Sequence, residues 1–462
     1  MSIKDIYKNL NKDMESISKR KKSQTLAGTF KKSFNPFVGA ESFANDTAVH
    51  DVSLESFHDF ISESANAKVV ERNGLIPLQD PEGIQHLRHI FGKGPFAVEP
   101  KIGSHPEFAH LVEDNSTKTG YTVTMFMDIV GSTKLGVSYS PEDVFLFKNS
   151  IITGAIQTIT AFDGHVHRIM GDAVMAFFRS KDNEDNNTLV NSAIDSINCA
   201  SYFIRVMEEL VKPQINEVAN EDIGIRIGID LGEKDWVLWG NYGIPGINEV
   251  TATSFYVDIA AKLQQKAKKN CIMLGERLVE ELDFTTKDFI SIKKNGEDEE
   301  RYAIDVTRDK QRLRYRQYEF NQDNYFSCLP HGLPPSRLEI AAEYGVTRHS
   351  ENRMIYKACS SAIPKNRWIK YTARFTEDYL GQYENVRFKF RVENHGKEAA
   401  LNLNNGNHET PVDKKAREKE DGVFVATCFE QTLYKGFHHM FVSVISNGVE
   451  VEKEIKFTIF IL

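Results

Sequence analysis

A hydrophobic strand ending in an acid constrains this chain more than any other feature. Residues Tyr121 to Met127 read YTVTMFM, a β-branched and aromatic run that predicts a strand, and Asp128 follows at once. Ser140-Pro141-Glu142-Asp143 then has the form of a helix start, with Ser at the N-cap, Pro at N1 and acids in the first turn. Val144, Phe147, Ile151, Ala155 and Ile159 make one helical stripe, which Asp163-Gly164 ends. Two short strands are expected next, His165 to Ile169 and Ala173 to Phe178, joined by a turn at Met170-Gly171-Asp172. A right-handed β-α-β unit makes its two strands parallel. The end of the first strand, at Asp128, therefore lies at the same sheet edge as the turn carrying Asp172.

The pattern continues with a helix from about 188 to 210, a strand from 223 to 230 and a Gly- and Trp-containing loop over 231–249. A helix from about 255 to 267 and a strand over 271–274 follow. The order β-α-β-β-α-β is the ferredoxin-like layout of an α+β domain. From about Trp368 the pattern becomes pure alternation. Val386 to Val392 is strictly period two, and Ser446-Asn447-Gly448 is a hairpin turn. Repeated short strands predict a small all-β, Ig-like sandwich. The expected organisation is an N-terminal extension over 1–117, a catalytic domain over 118–305, a connector over 306–345 and the sandwich over 346–462.

Two neighbouring carboxylates repel each other unless a cation lies between them. Hard oxygen ligands select Mg²⁺ or Mn²⁺, and two such ions could activate a hydroxyl and stabilise a leaving pyrophosphate. The stretch Ile129 to Thr133, read as a loop, offers main-chain N–H groups to phosphate just before a helix, with Gly131 permitting close approach. A net charge of −8 gives no reason to expect nucleic acid as a partner. The five cysteines are scattered without CxxC spacing, which suits a reducing cytosol. No apolar run is long enough for a signal core or a membrane span, so a cytoplasmic protein is expected.

Phe126 to Thr133 (FMDIVGST), Arg168 to Asp172 (RIMGD) and Tyr256 to Leu263 (YVDIAAKL) resemble the class III adenylate/guanylate cyclase catalytic domain over about residues 118–285. The resemblance implies that Asp128, Asp172 and Ile129 hold two metal ions per active site. It also implies that Gly131, Ser132 and Thr133 bind phosphate. A head-to-tail homodimer would place each site at the subunit interface. One subunit would supply the metal ligands, and the other the groups for the base and transition state.

Four positions depart from the family pattern. Arg168 stands where adenylate cyclases carry Lys and guanylate cyclases Glu, and Thr251 where they carry Asp and Cys or similar. Asp258 replaces the usual Asn and Lys262 the usual Arg. Arg168 only donates hydrogen bonds, so it suits a pyrimidine carbonyl edge better than an adenine amino group. Lys262 could neutralise charge on the transferring phosphate. A downstream phosphate-binding Lys has Lys293 and Lys294 as candidates.

Residues Phe388 to Ala400 and Glu430 to His438 resemble the AGS-C domain, a proposed sensor, over about 340–462. A cyclase with this domain and neither purine pattern is similar to the pyrimidine cyclases of Pycsar anti-phage systems. That resemblance implies conversion of CTP or UTP to cyclic CMP or cyclic UMP, with a phage-derived activator. The alternatives are an adenylate cyclase, an inactive cyclase fold that binds nucleotide as a regulator, and a polymerase-like transferase.

Overall fold

The computed structural model describes residues 1–26, 81–95, 101–114, 116–180, 187–214, 223–244, 246–286, 288–292, 294–295, 299–300, 302–308, 311–333, 336–419 and 422–462. The expected α+β architecture is present. Two N-terminal helices, α1 (Ile3–Ile6) and α2 (Lys8–Leu26), and α3 (Pro81–Ile90) precede β1 (Thr122–Val130). After β1 come α4 (Ser132–Ser138), α5 (Pro141–Ala161), β2 (Gly164–Met170), β3 (Ala173–Phe178), α6 (Thr188–Val206) and β4 (Gly224–Gly232). The domain continues with β5 (Leu238–Ile244), β6 (Ile247–Thr253), α7 (Phe255–Lys266), β7 (Cys271–Gly275) and α8 (Glu276–Glu281).

Strand β1 lies between β4 and β3, antiparallel to both, and β2 pairs outside β3. β1 and β2 are thus parallel, with β3 between them, and the β2–β3 turn falls at the C-terminal end of β1. Helix α5 begins as its sequence requires: the Ser140 side chain accepts from the Asp143 amide, and Pro141 occupies the first turn. Its stripe of Phe147, Ile151, Ala155 and Ile159 is buried against the sheet.

Three expectations change. The 129–133 segment is not a loop: β1 runs through Val130, Gly131 turns alone at φ 83°, and α4 starts at Ser132. The 231–249 segment largely forms the hairpin of β5 and β6, which burial of Val237, Trp239, Val250 and Ala252 anchors. Residues 306–345, expected as a connector, are mostly regular structure. Strands β8 (Tyr302–Arg308) and β9 (Gln311–Phe320) extend the cyclase sheet, giving the order β8-β9-β7-β4-β1-β3-β2. The arginines of β9 hid its alternation. They are matched by Asp305 and Glu276, while Tyr315 turns inward and donates to Asp230 at 2.8 Å. Burial pushes the Asp230 carboxyl up to about 7 despite that hydrogen bond.

The N-terminal helices pack on α5. Tyr7 and Thr158 share a buried hydroxyl–hydroxyl hydrogen bond of 2.7 Å. Arg88 of α3 caps the end of α5, donating to the Thr160 and Ala161 carbonyls and to Asp163.

The C-terminal sandwich has two five-stranded sheets. One has β10 (Leu338–Gly345), β11 (Met354–Tyr356), β13 (Trp368–Thr376), β16 (Arg417–Lys419) and β17 (Val423–Gln431), in the order β11-β10-β13-β17-β16. The other has β12 (Ala362–Ile363), β14 (Arg387–Asn394), β15 (Val412–Lys415), β18 (Gly436–Ser446) and β19 (Val449–Ile461), in the order β12-β19-β18-β14-β15. Phe284 of the cyclase part stacks 5.4 Å from Phe437 of the sandwich, which packs in turn on Phe460 at 4.8 Å. No helix among the described residues is long and apolar enough to cross a membrane.

Candidate active site

Strand pairing brings the backbone of Asp128 beside the turn that carries Asp172. Asp128 is in register with Ala173 on one side and Arg226 on the other. Asp172 occupies the β2–β3 turn, where Gly171 takes φ 67°. The Ile129 amide donates to the Asp172 carbonyl at 3.2 Å, fixing the turn against the end of β1.

Each carboxylate already faces a cation. The Arg226 guanidinium donates to Asp128 Oδ2 through Nε at 2.8 Å and Nη2 at 2.7 Å. The Lys148 ammonium lies 3.4 Å from Asp172 Oδ2, to which the Ser132 hydroxyl also donates. Burial would raise the Asp172 pKa, but the Ser132 hydrogen bond and the Lys148 charge outweigh it and hold the group below its ordinary value. Both side chains keep some exposure, 16% for Asp128 and 29% for Asp172. Partly accessible, charge-demanding oxygen donors at one sheet edge fit a divalent cation.

Ser132 differs from the expectation in one respect. It is buried and its hydroxyl is committed to Asp172, so any phosphate contact from it falls to the main chain. Thr133 is exposed beside it.

Arg168 stands on β2 and Thr251, buried, on β6. Sequence reasoning missed the residue that joins these strands. Glu249 takes the Arg168 guanidinium in a two-point grip, with Nε at 2.7 Å from Oε2 and Nη2 on Oε1. Strand alternation places Glu249 and Thr251 on one face of β6. Arg226, Lys148 and Glu249 gave no signal in the sequence because their partners are set by register across the sheet and by packing.

Asp258 and Lys262 are one turn apart on the exposed side of α7. Among the described residues, neither they nor Arg168 and Thr251 make a hydrogen bond or ion pair to Asp128 or Asp172. The candidates thus fall into separate groups within one chain. Lys293 lies outside the described residues, and Lys294 falls on a two-residue strand, Lys294–Asn295.

Residues 115–306 match the adenylate and guanylate cyclase catalytic domain, and residues 310–462 match the adenylyl/guanylyl and SMODS C-terminal sensor domain. The chain is 58% identical to a cytidylate cyclase of Escherichia coli over the whole of both proteins. It is 34% identical to a cytidylate cyclase of Staphylococcus aureus, covering 80% of this chain and 84% of that protein. A further Escherichia coli cytidylate cyclase is 30% identical over 97% of both.

Proposed function

Because the chain belongs to the cytidylate cyclases, class III nucleotidyl cyclases with a C-terminal sensor domain, we propose that it converts CTP to 3′,5′-cyclic CMP and pyrophosphate. The observation that carries this reading is the meeting of Asp128 and Asp172 at one end of the sheet, braced by the Ile129–Asp172 main-chain contact. In the reaction the ribose 3′-oxygen bonds to the α-phosphorus, the bond from that phosphorus to the β-phosphate bridging oxygen breaks, and the hydroxyl proton leaves. Asp128, Asp172 and Ile129 would hold divalent cations, two Mg²⁺ or Mn²⁺ ions, which when bound make the hydroxyl more acidic and screen the phosphate charge. The residues themselves bind and orient. Main-chain N–H groups of Gly131, Ser132 and Thr133 hold phosphate oxygens, Lys262 offsets charge on the transferring phosphate, and Asp258 accepts from a ribose hydroxyl. The Ser132 hydroxyl and the Lys148 charge favour the ionised form of Asp172.

The Arg168–Glu249 pair supports cytosine over uracil. Its guanidinium can donate to cytosine O2 and N3, and its carboxylate can accept from the 4-amino group, a pairing that uracil's 4-carbonyl cannot match. Thr251 can donate or accept alongside. Glu249→Gln weakens both the acceptor and the grip on Arg168. Competition between CTP and UTP should then show the preference for CTP falling by roughly tenfold or more, on the scale of one lost base contact. An unchanged ratio would remove Arg168 and Glu249 from base recognition.

The separation of the site groups within one chain supports an active site shared by two copies. So does the β5–β6 hairpin, which leaves Tyr242, Ile244 and Ile247 exposed at 51%, 64% and 76%. Ile247→Glu is expected to shift sedimentation from dimer to monomer and to lower turnover in proportion. A fully active monomer would contradict the shared site. The pairing of cyclase and sensor domains supports a role in anti-phage defence, with a phage-derived activator. Cyclic CMP should then rise in infected cells and stay flat in uninfected ones, and equal levels in both would refute that role.

A further inference from the structure

Strand β2 shifts register against β3 between Val166 and Arg168: Val166 pairs with Ala176, and Arg168 with the adjacent Met175. His167 is therefore the extra residue of a β-bulge, a device that re-aims side chains. His167 and Arg168, neighbours in sequence, both come to Glu249 of β6. Arg168 grips the carboxylate, and His167 Nε2 lies 3.9 Å from Glu249 Oε2. A short clip of chain holds this arrangement. The Gly103 amide donates to the Val166 carbonyl at 3.2 Å. The Gly103 carbonyl accepts from His165 Nε2 at 2.8 Å and from His167 Nδ1 at 2.9 Å. The next residue, Ser104, accepts from the Val250 amide at 3.1 Å through its hydroxyl. The clip thus ties β2 to β6 beside the Arg168–Glu249 pair.

A carbonyl only accepts, so Nδ1 of His167 carries a hydrogen. Burial pushes the imidazole down to about 4, so the ring is neutral near pH 7 and Nε2 holds a bare lone pair. The side chain is fully buried, and among the described residues Nε2 has no hydrogen-bond partner. A buried acceptor without a donor costs stability, and the nearby Glu249 carboxylate is an acceptor too. The opposite tautomer would donate to Glu249 and use acceptor capacity that a base needs. With the hydrogen on Nδ1, the carboxylate gains nothing by turning toward β2. It stays turned to Arg168, with 34% of its side chain exposed. We propose that His167 is a positioning residue for base recognition, whose bare Nε2 keeps Glu249 available to the amino group of a pyrimidine. This rests on the reading of Arg168 and Glu249 as the base-contacting pair.

The test is His167→Phe in the full-length chain, with steady-state kinetics on CTP and UTP and a melting curve. Phe keeps a ring beside Phe177, whose centre lies 5.0 Å from that of the imidazole, and removes both nitrogens. The melting temperature should hold or rise, because an unsatisfied buried acceptor is gone. A residue that only supports the fold would lower it and slow both nucleotides alike. Here kcat/KM for CTP should fall by roughly fivefold, mostly through KM, the scale of one weakened base contact. That for UTP should stay within about twofold, since the uracil 4-carbonyl has no hydrogen to give Glu249. In a Glu249→Gln background the same change should add nothing further to the loss of preference. An unchanged ratio of CTP to UTP, equal slowing with both, or a loss of stability in His167→Phe would overturn the proposal. If Glu249→Gln itself leaves the ratio unchanged, the base-contact reading fails, whereas a fall with Glu249→Gln and none with His167→Phe removes His167 alone.

Discussion

Asp172→Ala is expected to lower cyclic nucleotide formation by on the order of a thousandfold, the scale on which loss of one preorganised electrostatic group acts. The side chain contributes to function far more than to the fold. It is 29% exposed, and its ion pair with Lys148 is long at 3.4 Å. Partly exposed pairs of this kind are worth about 1 kcal/mol or less. Thermal unfolding should therefore shift by only a few degrees, about the size that such an energy produces. Asp128→Ala should behave alike, since its partner Arg226 is 33% exposed and can rehydrate. Steady-state rates and melting curves on the same preparations check both halves. A variant that unfolds would move Asp172 from the chemistry to the scaffold, and one that keeps its rate would end its role as a metal ligand.

Gly228→Ala is the second large effect, and it acts through the fold. Gly228 lies mid-strand in β4, opposite Phe126 of β1, with α7 pressed against it. A Cβ there would come within 2.2 Å of the Gln264 amide nitrogen, 2.3 Å of the Ala260 carbonyl oxygen and 2.8 Å of Gln264 Cα. Those atoms are helix backbone and cannot turn aside as a flexible side chain would. Helix α7 must move outward, at a cost of about 1–3 kcal/mol or more for overpacking. Because α7 carries Asp258 and Lys262, a displacement of about 1 Å should also cost roughly a hundredfold in turnover. Denaturant midpoint and rate should fall together. An alanine variant of wild-type stability and rate would mean that the helix–strand contact is looser than described.

The chemistry of this chain was legible where local patterns carry it. A hydrophobic strand stopping at Asp128, a capped amphipathic helix and the Met170-Gly171-Asp172 turn together dictate which sheet edge holds the two acids. The structure keeps the helix and the turn, and it carries the strand two residues past Asp128, to Val130. The β5–β6 hairpin was hidden because its alternation is masked. Trp239 and Val250 are buried, yet Leu238, Tyr242 and Ile247 on the other positions are apolar and exposed, so both faces look hydrophobic. Strand β9 was hidden for the opposite reason, since its arginines suggest a solvated connector until Asp305 and Glu276 are found beside them. Glu249, Lys148 and Arg226 meet their partners across 81, 24 and 98 positions of sequence. Contacts of that range follow from sheet register and helix packing, which no local pattern reveals.

The central claim is tested most directly by incubating purified protein with ATP, GTP, CTP and UTP in equal amounts with Mn²⁺, and resolving the products by mass spectrometry against 3′,5′-cyclic standards. The account predicts cyclic CMP as the dominant product, released with an equal amount of pyrophosphate and absent from the Asp172→Ala protein. Dominant cyclic AMP, or linear products in place of cyclic ones, would contradict it.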